Sequence, residues 1–227
     1  MCGRYTLTID QDELSERFGC PVIIPDYRPR YNTAPGQQMP VVIKQKGENR
    51  MVMMRWGLIP HWCKDDSMGA RLFNARMESV AEKPSFRDSL LTRRCIVPAD
   101  GYYEWLKINN TKQPLRIVKK SRQTFAFAGL WDKWVDQRGN TRLTFTIITT
   151  EPVESIRHIH NRMPLILSRE YEELWLEKIC PGSRIEVKAF LSQFKPENEL
   201  QAYPISNMVN SSANEHPELI DFCSGGQ

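Results

Sequence analysis

Polar and apolar residues alternate over residues 2–9, a period-2 pattern that predicts a strand and an amino terminus pinned to a sheet. Asp10 stands at the N-cap position of a short predicted helix carrying Leu14 and Phe18, which Gly19 and Pro21 stop. A proline-rich loop follows and ends in Arg30-Tyr31-Asn32-Thr33-Ala34-Pro35-Gly36. Residues 39–46 and 50–56 then read as a hairpin across Lys46-Gly47-Glu48-Asn49. Between residues 57 and 71 the periodicity is lost while aromatic and basic side chains persist, as at His61, Trp62 and Lys64. A loop of that kind is a candidate binding face; a core position is the other reading for Trp62, and for Trp56 the better one.

Asn74-Ala75-Arg76-Met77-Glu78 leads into a predicted helical stretch, and residues 85–93 form a second short one. Five strands are predicted next, at residues 95–98, 101–108, 114–119, 124–135 and 143–150, in an antiparallel meander separated by Asn-, Lys- and Gly-rich turns. Thr150-Glu151-Pro152 opens another predicted helix, a short strand covers residues 165–167, and Ser168 caps a helix with Glu170, Glu172 and Glu173 in its first turn. A helix at 187–194 and a strand at 201–205 complete the pattern, with an irregular tail from about residue 211. The expected fold is therefore α+β: one domain over residues 1–227, with a mainly antiparallel, barrel-like sheet core and peripheral helices.

With 41% apolar residues, six Trp and nine Phe, the chain has enough apolar bulk for such a core. Lys and Arg exceed Asp and Glu by 31 − 27 = 4, a mild excess that permits nucleic-acid binding without arguing for it. Six cysteines are scattered with no C-x-x-C pair, no signal peptide precedes Cys2, and no apolar run approaches the ~20 residues of a membrane span. They read as reduced thiols of a cytoplasmic protein. His61-Trp62-Cys63 and His158-Ile159-His160 lack zinc-finger spacing, so neither a metal nor another cofactor is expected.

The chemistry with the most to offer stands at the start. Cys is small enough for an aminopeptidase to remove Met1, leaving Cys2 with an α-amine and a thiol on adjacent carbons. Such a 1,2-aminothiol condenses with an aldehyde through nitrogen and closes a thiazolidine through sulfur. An α-amine titrates near ~7.8 and a lysine near ~10.4, so at pH 7 roughly 300-fold more of the α-amine is neutral. Aldehyde chemistry also needs a proton shuttle and an acid. Glu104, set among Tyr102, Tyr103 and Trp105, is a candidate for a raised pKa, or else an ordinary strand carboxylate. His160 is a candidate acid or a structural histidine, and Asn74 and Arg76 are candidate phosphate or sugar ligands or plain loop residues.

Several separated motifs bear on these alternatives. Met1-Cys2-Gly3-Arg4-Tyr5 is followed by Arg30-Tyr31-Asn32 with Ala34-Pro35-Gly36, then by Trp56-Gly57-Leu58-Ile59-Pro60 with Trp62. Asn74-Ala75-Arg76-Met77-Glu78 comes next, then Ala99-Asp100-Gly101-Tyr102-Tyr103-Glu104-Trp105 and Ile159-His160-Asn161-Arg162-Met163-Pro164. In order and spacing, through Asn210, the chain resembles the SRAP (SOS response-associated peptidase) family of abasic-site processing proteins. The resemblance implies binding of single-stranded DNA, especially at single-strand/duplex junctions, by a monomer located in the cytoplasm and on the nucleoid. It also implies covalent capture of abasic sites as a thiazolidine on Cys2. Carried over by position, it makes Cys2 the nucleophile, Glu104 the proton manager, His160 the acid for sugar-ring opening and Asn74 the holder of Cys2 or sugar. Arg4, Arg76 and Arg162 become phosphate ligands, with Trp62, Asn32 and Pro35 in the DNA path. Two departures stand out: Asn161 follows His160 where Asp is more usual, and Cys63 follows Trp62 where a second tryptophan occurs in the family. Two other functions are compatible with the same residues: an N-terminal-cysteine peptidase or autopeptidase, and a non-covalent reader of modified or damaged DNA.

Overall fold

The alternating amino-terminal stretch forms β1 (Tyr5–Leu7), and Asp10 caps α1 (Gln11–Phe18) by accepting the Glu13 N–H at 2.9 Å. The computed structural model describes residues 2–20, 24–25, 27–177 and 184–223. The proline-rich loop leads to β2 (Arg30–Thr33), then to the hairpin of β3 (Gln38–Gln45) and β4 (Glu48–Trp56). Its turn is tighter than expected: Lys46 and Gly47, both at positive φ, make the whole connection. At the end of β4, Gly57 has φ +125°, and a Cβ there would lie 2.3 Å from the Gly69 carbonyl oxygen. That close approach folds the loop carrying Trp62 back on itself.

Residues 74–78 differ from expectation. Asn74–Arg76 is a strand, β5, and the residues after it are turns rather than a helix. Later come α2 (Arg87–Thr92) and strands β6 (Arg94–Ala99), β7 (Gly101–Ile108), β8 (Thr111–Lys119), β9 (Phe125–Val135) and β10 (Thr141–Thr150). β5 exists because β10 offers it a partner: the two pair in parallel, Ile147 opposite Asn74 and Thr149 opposite Arg76. No local periodicity signals such a pairing. The helix expected from Thr150 reduces to one 3-10 turn at Glu154–Ile156, since Glu151 precedes a proline and is kept out of the helical region. Short β11 (Met163–Pro164) and β12 (Ile166–Leu167), α3 (Arg169–Leu176), α4 (Arg184–Ser192) and β13 (Leu200–Pro204) complete the fold. Ser168 precedes α3, but its hydroxyl bonds the Glu170 carboxylate at 3.2 Å instead of a backbone N–H.

The five central strands do not form one meander. β10, β4, β3, β6 and β9 close into a ring, with β5 and β11 extending β10 and β12 extending β9. β13, β8, β7, β1 and β2 form a separate open sheet. Only Asp100 separates β6 in the ring from β7 in the open sheet. The corner needs Gly101, where a Cβ would meet the Arg116 Nε at 2.6 Å. Most pairs are antiparallel, as expected, but β10 runs parallel to both β4 and β5. The sheets are welded by aromatic contacts of Tyr5, whose ring lies 5.1 Å from that of Trp56 and 5.8 Å from that of Phe127. Burial of Tyr5 therefore anchors Cys2, three residues upstream, inside the seam between ring and sheet.

The stretch after β13 is irregular in backbone, yet it is docked. Glu215 accepts hydrogen bonds from the Arg30 Nε (3.0 Å), the Asn32 N–H (3.1 Å) and the Tyr31 N–H. Cys2, Cys20, Cys63, Cys95 and Cys223 are unpaired thiols, and Cys180 lies outside the described residues. Among the described residues, no helix is long and apolar enough to cross a membrane.

Candidate active site at the amino terminus

Three elements converge on Cys2. β5 brings Asn74, whose side-chain amide donates to the Cys2 carbonyl at 2.6 Å. β7 brings Glu104 on the same strand face as Tyr102, since side chains two apart share a face, and Tyr102 lies opposite Tyr5 of β1. The loop between β10 and β11 brings His160 near enough to the amino terminus for the positive charge there to lower its pKa. Cys2 itself is fully buried, with its Sγ 3.8 Å from the Arg4 carbonyl.

The polar atoms around this corner are unusually short of partners. Glu104 is 4% exposed, and neither its Oε1 nor the Asn74 Oδ1 has a hydrogen-bond partner among the described residues. The hydroxyls of Tyr5 and Tyr102 are likewise buried and unpaired. Native interiors leave few such groups, and those left open cluster where a ligand or a reacting group is meant to sit. Burial pushes the Glu104 carboxyl up to about 7, against a smaller downward pull from the positive amino terminus. Burial, then the nearby Glu104 charge, raises the Cys2 thiol well above its ordinary range. Its sulfur is a neutral thiol at pH 7 and needs a base before it attacks.

His160 has a different environment. Burial lowers its pKa, so the neutral ring dominates at pH 7. Its Nδ1 lies 3.0 Å from the Arg162 N–H and 3.1 Å from the Arg162 carbonyl. The neutral ring accepts from that N–H, and the protonated ring donates to that carbonyl. One residue's backbone thus satisfies Nδ1 in both states.

The expected DNA ligands divide into two groups. Arg76 is exposed on β5, Trp62 is 49% exposed at the tip of its loop, and Pro35 is half-buried in the turn after β2. The Trp62 loop is held from below: His61 N–H and Nδ1 both lie 3.0 Å from the buried Asp132 carboxylate, and Trp134 Nε1 donates to the Cys63 carbonyl at 2.8 Å. The second group is engaged within the protein. Asn32 is fully buried, its side-chain nitrogen facing the carbonyls of Val209 (3.3 Å), Ser211 and Asn214 (both 2.9 Å). Arg4 donates to Asn32 Oδ1 at 2.7 Å and to the Val209 carbonyl at 2.8 Å. Arg162 pairs with Glu78. Asn32 and Arg4 accordingly shape the wall of the site by fastening the segment 209–214 beside it. Sequence patterns did not disclose that wall, nor Glu78 and Glu215, because each acts through a partner far away in the chain.

Known proteins resemble this chain in sequence and in fold. The family described as SOS response associated peptidase (SRAP) matches residues 1–212. The Bacillus subtilis (strain 168) abasic site processing protein YoqW is 44% identical over 224 residues, covering 97% of this chain and 99% of that protein. The abasic site processing protein HMCES of Gallus gallus is 31% identical over 226 residues, covering 86% of this chain and 66% of that protein. Among solved structures, a protein from Bacteroides thetaiotaomicron has a TM-score of 0.85 at 28% identity, covering 98% of this chain and 100% of that one. The chain belongs to the SOS response associated peptidase (SRAP) family.

Proposed function

We propose that the protein captures abasic sites in single-stranded DNA, with a preference for single-strand/duplex junctions, by forming a thiazolidine on Cys2 after Met1 is removed. One observation carries the reading: a carboxylate with a pKa of about 7 and a bare oxygen lies buried beside an amino-terminal cysteine. While Met1 is attached, the Cys2 nitrogen is a peptide amide and cannot attack. Its removal frees a donor for the two acceptors that lack one, Glu104 Oε1 and Asn74 Oδ1.

The proposed sequence conserves atoms and protons. His160, in its protonated form, gives a proton to the ring oxygen of the closed deoxyribose as the ring C–O bond breaks, and takes one back from the anomeric hydroxyl as the aldehyde forms. Glu104, as carboxylate, takes a proton from the Cys2 ammonium, and the freed amine adds to the aldehyde carbon. Glu104 returns that proton to the departing hydroxyl, and one water leaves to give the iminium. The Cys2 thiol then passes its proton to the regenerated carboxylate, and sulfur attacks the iminium carbon, closing the five-membered ring with a neutral N–H. Water is the only product released, and Glu104 in its acid form serves the reverse reaction. Asn74 fixes the cysteine backbone during both steps through its 2.6 Å bond to the Cys2 carbonyl.

The test is an oligonucleotide with a single abasic site, incubated with purified protein and resolved on a denaturing gel. A heat-resistant shifted band is expected, with intact-mass spectrometry showing loss of Met1. Retention of Met1 or absence of the band would overturn the proposal. Binding in a native gel without any covalent band would favour a non-covalent reader, and cleavage of unrelated proteins a peptidase.

Stacking at Trp62 gives a separate expectation. Its exposed ring makes little contribution to the core, so Trp62→Ala leaves thermal stability unchanged. It weakens binding to undamaged single strands by about 1–3 kcal/mol, the worth of one base stacked on an aromatic ring. Fluorescence anisotropy at fixed salt reads the effect, and unchanged affinity would remove Trp62 from the DNA path.

A further inference from the structure

The Arg162 guanidinium is already occupied. Its Nη1 and Nη2 donate to the two carboxylate oxygens of Glu78 at 2.7 and 2.9 Å. This fork-to-fork arrangement is the one a guanidinium also makes with a phosphodiester. The two partners are unequally placed: the Arg162 side chain is 13% exposed and that of Glu78 is 50% exposed. Arg162 has a second anchor, its Nη2 donating to the Thr149 carbonyl at 2.6 Å, whereas no other side chain is hydrogen-bonded to Glu78 among the described residues. Apart from Arg162, the carboxylate is held among the described residues only by its own backbone N–H, so it is the less anchored and more exposed member of the pair. Burial opposes its ionisation, but the hydrogen bonds of Arg162 and of the Glu78 backbone N–H, with the charges of Arg162 and Arg76, hold it below the usual carboxylate range.

We propose that Glu78 is a built-in competitor for DNA: its carboxylate fills the phosphate-binding fork of Arg162 in the free protein and is displaced when a backbone phosphate arrives. The proposal rests on reading Arg162 as a phosphate ligand. The exchange replaces one anion by another, so the largely buried guanidinium is never left without a counter-charge. The pair is open to water on the Glu78 side, and such pairs are readily broken. The consequence is selectivity. Every intact strand must compete with Glu78 for Arg162, while a strand held at Cys2 by covalent capture presents its phosphate at high effective concentration and wins. Arg162 also supplies the backbone groups around His160 Nδ1, so the exchange takes place beside the acid of the proposed reaction.

Glu78→Gln keeps the shape and removes the charge. It is expected to tighten binding to an undamaged single-stranded oligonucleotide by about fivefold at low salt, and to steepen the slope of log K against log salt by about one. A double-mutant cycle with Arg162→Ala distinguishes competition from a general gain in positive charge. Competition requires the gain to vanish in the Arg162→Ala background; a gain that persists there overturns the proposal, as does unchanged or weaker binding by Glu78→Gln. Glu78→Asp, too short to hold both bonds, is expected to move affinity the same way by a smaller factor. Undiminished binding by Arg162→Ala alone would instead remove the phosphate-ligand reading beneath the proposal. Thermal unfolding of each variant confirms that folded proteins are compared.

Discussion

Cys2→Ala lowers the yield of heat-resistant adduct on an abasic-site oligonucleotide by about 100-fold or more, because no other group can close the ring through sulfur. Alanine is also small, so Met1 is still removed and the α-amine remains. The variant is therefore expected to form the imine but not to protect it. An unprotected imine at the abasic carbon acidifies the neighbouring C–H, and loss of that proton expels the 3′ phosphate. The outcome to measure is a switch in product: the intact crosslinked strand gives way to a cut strand, and borohydride traps the imine as a reduced adduct. Cys2→Ser retains a weaker oxygen nucleophile, and its adduct is expected to be lost on heating. A heat-resistant band of undiminished strength with Cys2→Ala would show that the chemistry runs through another residue.

Glu104→Gln has two expected signatures. The first is kinetic. Loss of the proton acceptor slows adduct formation by about 100-fold, the low end of general acid–base contributions. The wild-type rate rises with pH through about 7 as the carboxylate forms, and this limb flattens in the variant. The second is thermodynamic. Glu104 keeps its proton to about 7 when folded, against an ordinary 4.5. Between those values the folded protein carries a proton that the unfolded chain has released, so its stabilising contribution, complete below 4.5, fades as pH rises and is gone above 7. The interval corresponds to a ceiling of about 3 kcal/mol. Glutamine has no proton to lose. Thermal unfolding at pH 5, 6.5 and 8 is expected to show the variant gaining on the wild type at each step. A stability difference independent of pH would mean that Glu104 titrates as an ordinary exposed carboxylate.

Most strands from β6 to β10 were legible because alternation and turn chemistry are local properties, and so was the Asp10 cap. The closure of β10 onto β9 and β4 was not, since a period-2 pattern says which face is buried and not which strand lies alongside. β5 illustrates the limit. Asn74-Ala75-Arg76 has no strand signature of its own and is extended only because β10 pairs with it. The site shows the same division. Residue chemistry nominated Cys2, Glu104, His160 and Asn74, and the structure places Asn74 in contact with Cys2 and Glu104 close enough to shift its thiol. The status of Arg162 was hidden, because its counter-ion Glu78 is 84 residues away. Asn32 was similarly obscure: only the fold reveals that its amide grips the segment from Val209 to Asn214.

That grip has a bearing on when the protein can mature. The Arg4 guanidinium finds its acceptor on Val209, 205 residues later, so the corner around Cys2 is completed only after residues 209–215 have left the ribosome. Contacts of such sequence separation form late in folding. During most of translation the first residues are therefore an open, accessible end. The enzyme that trims Met1 needs such an end, whereas folding packs the corner around Cys2. In the proposed maturation, synthesis of the carboxyl-terminal segment acts as a timer: trimming first, and completion of the site around the new aminothiol second.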